Sequence, residues 1–479
     1  MKKESKEGIN IKRDENFPEW YNEIILKADI AEYSTIKGFM IIKPYGYALW
    51  EKIQDYFNPV IKKIGVKNAY FPLLIPESFF KKEAQHAEGF SPEVAWIANK
   101  DDDTEERLAI RPTSETIIYD AFSRWIRSHR DLPVKVNQWC NVVRWETKST
   151  KLFLRTREFL WQEGHCSFAK NEEADENMYN ILDEYQKLSE NLLAIPVIKG
   201  TKTEAEKFAG ANTTTTIEGL MPDGKALQMG TSHNLGQNFS KAFNIKYSGE
   251  DEKEHLTYQT SWGISTRLIG GLIMTHSDEK GLILPPKIAP IHIAIVPIIF
   301  EDSKLQVIKK CKEIKSLLSD YEVELDLRNY SPGWKFNQWE LKGVPIRLEV
   351  GPRDLENDQV VVVRRDTSEK TPIKVSRLND TVKEILEDMQ TSLFEKAKKF
   401  LEESKVSVNN LKDLEKQVKN KKIVKVPFCC GVKCEDSIRE KIEGISSRCI
   451  PLEEKEKPKE NCINCENKAK NYVYFSKAY

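Results

Sequence analysis

Apolar positions recur along this chain with two periods, and the switches between them predict its elements. Leu49, Ile53, Phe57, Val60 and Ile64 share one face at helical spacing, closed by Gly65. Asn58-Pro59 interrupts that stripe and predicts a kink or a restarted helix. Residues 17–31 read as an earlier helix and 68–76 as a strand with Pro72 at its centre. Met178, Ile181, Tyr185, Leu188 and Leu192 form a second helical stripe within 171–194. Beyond Ile291 strands are expected at 291–299, 323–327, 346–350 and 359–364, with helices at 303–318 and 331–341. That alternation indicates a small α/β domain. A long helix over 380–402 follows, with Val382, Leu386, Met389, Leu393, Ala397 and Phe400 in register.

Period two is most informative between Asn141 and His165. The segment reads Asn-Val-Val-Arg-Trp-Glu, a short polar loop, then Phe-Leu-Arg-Thr-Arg-Glu-Phe-Leu-Trp-Gln-Glu-Gly-His. Arg144 and Glu146 alternate with Val143 and Trp145, so a cation and an anion share one strand face. Unlike charges buried in such a strand are costly unless a ligand or an ion-pair network satisfies them.

Composition narrows the class. A chain of 479 residues exceeds a single core and should hold two to four domains. With 40% hydrophobic and 31% charged residues it reads as globular. Its longest apolar run, Ile291 to Phe300, contains His292 and Pro297 and is too short to span a bilayer. The opening Met-Lys-Lys-Glu-Ser-Lys-Glu has no apolar stretch, which predicts a cytosolic chain and no membrane partner. The 74 basic and 74 acidic residues cancel, so any RNA contact must come from local patches. Walker A and G-x-G-x-x-G sequences are absent, which disfavours P-loop and dinucleotide folds. Cys140, Cys166 and Cys311 are scattered, whereas six cysteines lie between 429 and 465. A pair around 429–434 and a pair at Cys462 and Cys465 suit four-thiolate structural zinc, with Cys429 or Cys430 as the first ligand.

The hairpin 141–165 resembles motif 2 of the class II aminoacyl-tRNA synthetases, and its wording resembles the prolyl-tRNA synthetase family. The helix and strand over 45–76 resemble motif 1, which builds a homodimer interface in that class. Ser261-Trp-Gly-Ile-Ser-Thr-Arg-Leu-Ile-Gly-Gly resembles motif 3. The resemblance implies an antiparallel-sheet catalytic core over 1–286 and an α/β anticodon-binding domain over 287–395. A small zinc-binding α+β domain over 396–479 completes the chain, which is α/β (α+β) as a whole. Amino-acid activation needs no protein nucleophile, because a carboxylate attacks the α-phosphate of ATP and charge neutralisation lowers the barrier. An arginine-rich site is the consequence. By resemblance, Arg144 and Arg267 are catalytic, and Arg144 holds both the amino-acid carboxylate and the α-phosphate. Glu146 binds the adenine edge, Arg155 the far phosphates, and Phe159 stacks on the adenine. Thr156, Gln228, Thr231 and Ser265 are the remaining contacts to ATP, with Gln228 also toward Mg2+.

Proline carries a secondary amine with two N–H donors and a rigid apolar ring, so its site needs acceptors and a closed aromatic box. Thr113 and Glu115 resemble the family's amine-binding loop, and Trp161, His165, Phe208 and His233 its box. Glu340, Arg347 and Arg364 are implied readers of the anticodon of tRNA(Pro). The family wording Pro-Phe-Cys assigns Cys429, with Cys434, Cys462 and Cys465, to Zn2+. Glu163 and Gly263 lie about a hundred residues apart, which leaves no room for an inserted editing domain. That spacing resembles the archaeal and eukaryotic architecture. A methylene is worth only ~1–3 kcal/mol of discrimination, so mischarging is expected to be corrected, if at all, by a separate protein. A threonyl enzyme would need a zinc-centred substrate pocket, which these residues do not supply. The alternative from another class is a non-catalytic paralogue acting as a tRNA-binding or regulatory module; such paralogues lose the motif arginines.

Overall fold

The computed structural model describes residues 8–84, 93–98, 106–145 and 149–479. Its largest feature among these residues is an 11-stranded sheet. From one edge its strands run Lys405–Ser407, Ile423–Phe428, Asn471–Ala478, Ile445–Pro451 and Ile198–Thr201. Thr213–Leu220, Lys225–Gly236, Tyr258–Ser265, Glu158–Phe168, Val134–Val143 and Lys67–Asn68 complete it. The long strands of the second half pair antiparallel, as the class II resemblance implies.

Helices Asn171–Lys187 and Arg267–His276 cover one face of this half. Ile181, Leu182, Tyr185, Leu268, Leu272 and Ile273 are fully excluded from solvent in the same core as Trp20, Trp50 and Phe57. The stripe at 171–194 is not one helix: a π turn at Leu188–Leu192 ends it. The helix Pro44–Lys63 runs on through Pro59, so it does not restart there. Pro59 stands just before the last turn, where its missing N–H costs one bond, and fully buried Phe57 and Ile61 hold this stretch to the core. The strand expected at 68–76 is split around Pro72: Lys67–Asn68 pairs with Val136 and Asn137, and Leu74–Pro76 with Leu108–Ile110.

Residues 291–377 form a five-stranded sheet in the order Val323–Leu325, Ile293–Pro297, Ile346–Val350, Gln359–Arg364 and Lys370–Lys374. The first three strands are parallel, and the last two are antiparallel additions. Helix Leu378–Ser404 closes that domain with Val382, Leu386 and Met389 and then runs toward the large sheet. Its far end meets the C-terminal strands, whose own core is Leu414, Val424, Val426, Phe428, Ile438 and Phe475.

The C-terminal region does not stand apart from the catalytic sheet. Ile450 and Pro451 pair with Thr201 and Gly200, and Lys477 and Ala478 pair with Lys225 and Ala226. Across that seam Glu218 bonds Lys202 Nζ at 2.7 Å and Arg448 Nη2 at 2.7 Å, with all three side chains buried. Removing one member of such a triad leaves a buried charge uncompensated, at a cost of ~3–5 kcal/mol. The tail ends on the core of the large sheet: Tyr479 OH donates to Asp223 at 2.7 Å.

Candidate functional site

Strand period two gathers the predicted residues onto one face of the large sheet. Register places Trp161 beside Ser265, Glu163 beside Gly263 and His165 beside Ser261. It continues from Gly263 to Thr231, and from Ser261 to His233 and on to Thr214. Gln228 has the opposite parity to Thr231 and His233, yet it lines the same cavity. A bulge explains this: Ile217 faces Gly230 and Glu218 faces Gln228, so Met229 is an extra residue that flips the alternation.

These residues enclose a cavity of about 270 Å³. Thr113, Glu115, Arg144, Trp161, His165, Phe208 and His233 line it, and so do Phe159, Gln228, Thr231, Ser265 and Arg267. The proline and ATP sets are therefore contiguous. Arg155 and Thr156 are not in the lining. They lie on the hairpin turn, where Thr156 Oγ1 donates to the Glu158 carbonyl at 2.6 Å. Glu146 lies outside the described residues.

One end of the cavity is strongly cationic. Arg144 Nε donates to the Pro112 carbonyl at 3.1 Å, and its guanidinium lies 5.3 Å from the Phe159 ring and 5.5 Å from Trp161. Arg267 begins helix Arg267–His276. Burial, then the Arg144, Arg155 and Arg448 cations, push its pKa down to about 10. It stays charged at neutral pH, but the repulsion leaves this corner poised for a polyanion.

The other end is closed and rich in acceptors. Arg111, itself buried, donates to the Asn141 and Phe71 carbonyls at 2.9 and 2.8 Å and so pins the loop leading to Thr113. Thr113 Oγ1 donates to Glu115 Oε2, and both residues are only 5% exposed. Phe208 stacks against His233 with centroids 4.7 Å apart. Thr214 Oγ1 accepts the Phe208 amide proton at 3.0 Å and lies 2.9 Å from His233 Nδ1, to which it can donate its own proton. Burial, then His165, lower the His233 pKa to about 3, so this wall is neutral.

Sequence reading missed Glu163, Glu206, Thr214, Ser261 and Gly263 in the lining. Glu163 was discoverable, because it shares strand parity with Trp161 and His165. It is 2% exposed and accepts from Ser114 Oγ, from Gln138 Nε2 at 3.1 Å and from His165 Nε2 at 3.0 Å. Burial alone would raise its pKa, but the His165, Ser114 and Gln138 hydrogen bonds lower it on balance.

In the C-terminal region, the sulfurs of Cys429, Cys434, Cys462 and Cys465 all lie within 4.8 Å of one another. The Cys434–Cys462 and Cys429–Cys465 separations are 3.7 Å. A tetrahedron of Zn–S bonds of ~2.3 Å requires sulfurs about 3.8 Å apart, so this donor set fits zinc. Asn464 and Asn467 point amide donors at Cys434 and Cys465. Cys430 has φ +61° and lies instead near the Asn471 amide, and Cys449 is buried away from the cluster.

Glu340, Arg347 and Arg364 meet in one small crevice of the second domain. Arg347 bonds Glu340 at 3.0 Å and Glu349 at 2.9 Å beneath Phe336, and it is 6% exposed. Arg364 bonds Asp366 at 2.9 Å and Asp388 at 2.6 Å.

The comparisons with known proteins agree with this geometry. Residues 96–276 match the class II core domain of tRNA synthetases (G, H, P, S and T), and 292–385 match the anticodon binding domain. Residues 411–479 match the prolyl-tRNA synthetase C-terminal domain. A proline–tRNA ligase of Alkaliphilus oremlandii is 51% identical over 97% of this chain and 96% of its own length. Proline–tRNA ligase 2 of Bacillus thuringiensis subsp. konkukian is 50% identical over the full length of both. A crystal structure of the Cryptosporidium parvum prolyl-tRNA synthetase, complexed with halofuginone and AMPPNP, superposes with a TM-score of 0.94 at 44% identity. It covers 99% of this chain and 98% of that one. Fold and site define a class II aminoacyl-tRNA synthetase. Within that class the chain belongs to the prolyl-tRNA synthetases, the proline–tRNA ligases. The full-length bacterial relatives show that the architecture is not confined to archaea and eukaryotes. Nothing in the relatives supports the non-catalytic alternative.

Proposed function

We propose that this chain activates L-proline with ATP and passes the prolyl group from prolyl-adenylate to the 3′ end of tRNA(Pro). The observation that carries this reading is the junction, in one cavity, of a cationic corner lined by Arg144 and Arg267 with a closed, acceptor-lined aromatic box. Proline's charged amine meets Thr113 and Glu115, and its ring packs among Trp161, His165, Phe208 and His233. Its carboxylate then faces Arg144, which also grips the α-phosphate with a planar fork. Phe159 stacks on the adenine, Arg155 and Arg267 hold the outer phosphates, and Glu146 with Thr156 completes the nucleotide contacts. Gln228, Thr231 and Ser265 face the ATP–Mg2+ complex, and the relative crystallised with AMPPNP supports a nucleotide as a ligand of this fold. Neutralising charge that develops only during transfer is worth about 10²–10³ in rate per donor.

The same reading assigns anticodon contacts to Glu340, Arg347 and Arg364, and zinc to the four cysteines, where it would supply structure and no reactive water. It divides the chain at 286/287 and 395/396, with helix Leu378–Ser404 as shared connector. Exposed Tyr70, Leu74, Trp96 and Trp125 supply apolar area for a homodimer around motif 1. The working compartment is the cytosol, and correction of mischarged tRNA falls to a separate protein. ATP-dependent charging of tRNA(Pro) with labelled proline tests the reading. Charging with another amino acid, or none, would overturn it.

A further inference from the structure

The box residue Phe208 stands on a segment with little regular structure of its own. Between strands Ile198–Thr201 and Thr213–Leu220 the chain makes only turns, with Glu206 N donating to the Thr203 carbonyl at 3.1 Å. Thr214 Oγ1 holds the Phe208 amide at 3.0 Å, and the first half of the turn is anchored by a distant part of the chain. Helix Val432–Lys441 carries the cluster residue Cys434 in its first turn and projects two side chains onto this segment. Glu435 is 1% exposed and accepts from Thr203 Oγ1 and from Ser447 Oγ, both at 2.8 Å. Arg439 Nη2 bonds Glu435 at 2.7 Å and also Glu206, two residues from Phe208. Glu206 itself lines the cavity. The adjoining Lys202–Glu218–Arg448 triad makes the base of this contact rigid.

We propose that Glu435 and Arg439 are positioning residues for substrate recognition, holding the turn at 203–208 so that Phe208 closes the amino-acid box. Neither touches substrate; both act through Thr203 and Glu206. The inference rests on the proline reading of the cavity. It makes the C-terminal region part of the specificity apparatus and gives the thiolate cluster a task beyond folding its own domain. It also explains why the seam between the two regions is built from charged hydrogen bonds: a directional tether sets a loop's position more tightly than apolar contact does.

Pyrophosphate exchange on the full chain, with proline and ATP titrated separately, tests the proposal. Arg439→Ala should raise the proline KM about tenfold, since small displacements of positioning groups cost up to about a hundredfold. The ATP KM and kcat should stay within about twofold, Arg439→Lys should restore most of the loss, and amides 203–210 should exchange hydrogen faster. Glu206→Gln keeps side-chain volume and tests the same bridge should Arg439→Ala fail to fold. Combined with Arg439→Ala it should be no worse than the more impaired single variant, because both remove one interaction. An unchanged proline KM and unchanged exchange at 203–210 would overturn the proposal. So would parallel loss of proline KM, ATP KM and kcat, the mark of a general structural defect. If the wild type fails to activate proline, the reading of the cavity fails instead, and hydrogen exchange still reports the tether.

Discussion

The arginines of the catalytic cavity and those of the anticodon-binding domain live in opposite electrostatic settings. In the cavity, burial and neighbouring cations push Arg267 down to about 10. In the second domain, the hydrogen bonds that Arg364 donates to Asp366 and Asp388 raise its pKa, and Arg347 lies between Glu340 and Glu349. A like-charge cluster gains on binding a polyanion, whereas a paired guanidinium is already balanced and must share or exchange partners to read a base. The first arrangement is built for chemistry on phosphates. The second is a stable ion-paired crevice, to which the proposed function adds recognition of the anticodon.

Substitutions should separate the two settings. Arg144→Ala should lower pyrophosphate exchange by about a thousandfold or more while leaving the fold intact, because the lost charge acts on the transition state. Exchange within about tenfold of wild type would remove Arg144 from that role. Arg347→Met takes the shared cation from Glu340 and Glu349, although Lys370 still bonds Glu349 at 3.0 Å, and should instead destabilise its domain by ~2–3 kcal/mol and impair tRNA charging. Prolyl-adenylate formation should survive. Equal loss of both activities would erase the contrast between the domains.

Stability against pH gives a third, smaller effect. Burial and His165 lower His233 to about 3, and burial lowers His276 to about 4. The unfolded chain takes up these protons near pH 6.5 while the folded chain refuses them, so their contribution is present above pH 6.5 and lost as pH falls. Between pH 7 and 5 each should cost about 2 kcal/mol. Urea midpoints in His233→Asn should show a shallower acid slope than wild type; identical slopes would contradict the buried neutral imidazole. The smallest effect expected is from Glu115→Gln, which keeps the shape of the amine site but removes its charge and should raise the proline KM about tenfold. An unchanged KM would move the amine elsewhere.

What was readable in the sequence was local. Phe159, Trp161 and His165 share a face through strand period, and the family resemblance named them as site residues; cysteine spacing with the wording Pro-Phe-Cys picked out the four sulfurs that meet. What was not readable depended on register and contact. Gln228 reaches the cavity only through the bulge at Met229, and Glu206 and Arg439 meet across more than two hundred residues. Pro59 predicts a break that one buried turn overrides. The joining of the C-terminal strands to the catalytic sheet through Ile450 and Thr201 leaves no trace in either segment taken alone.

The central claim is that one cavity joins a polyanion-seeking arginine corner to a box shaped for proline. Pyrophosphate exchange measured with each of the twenty amino acids tests it most directly. The account predicts exchange with proline far above all others, weak exchange with alanine and cysteine, and collapse of every signal in Arg144→Ala. Comparable exchange with a different amino acid, or proline-dependent exchange that survives in Arg144→Ala, would contradict it.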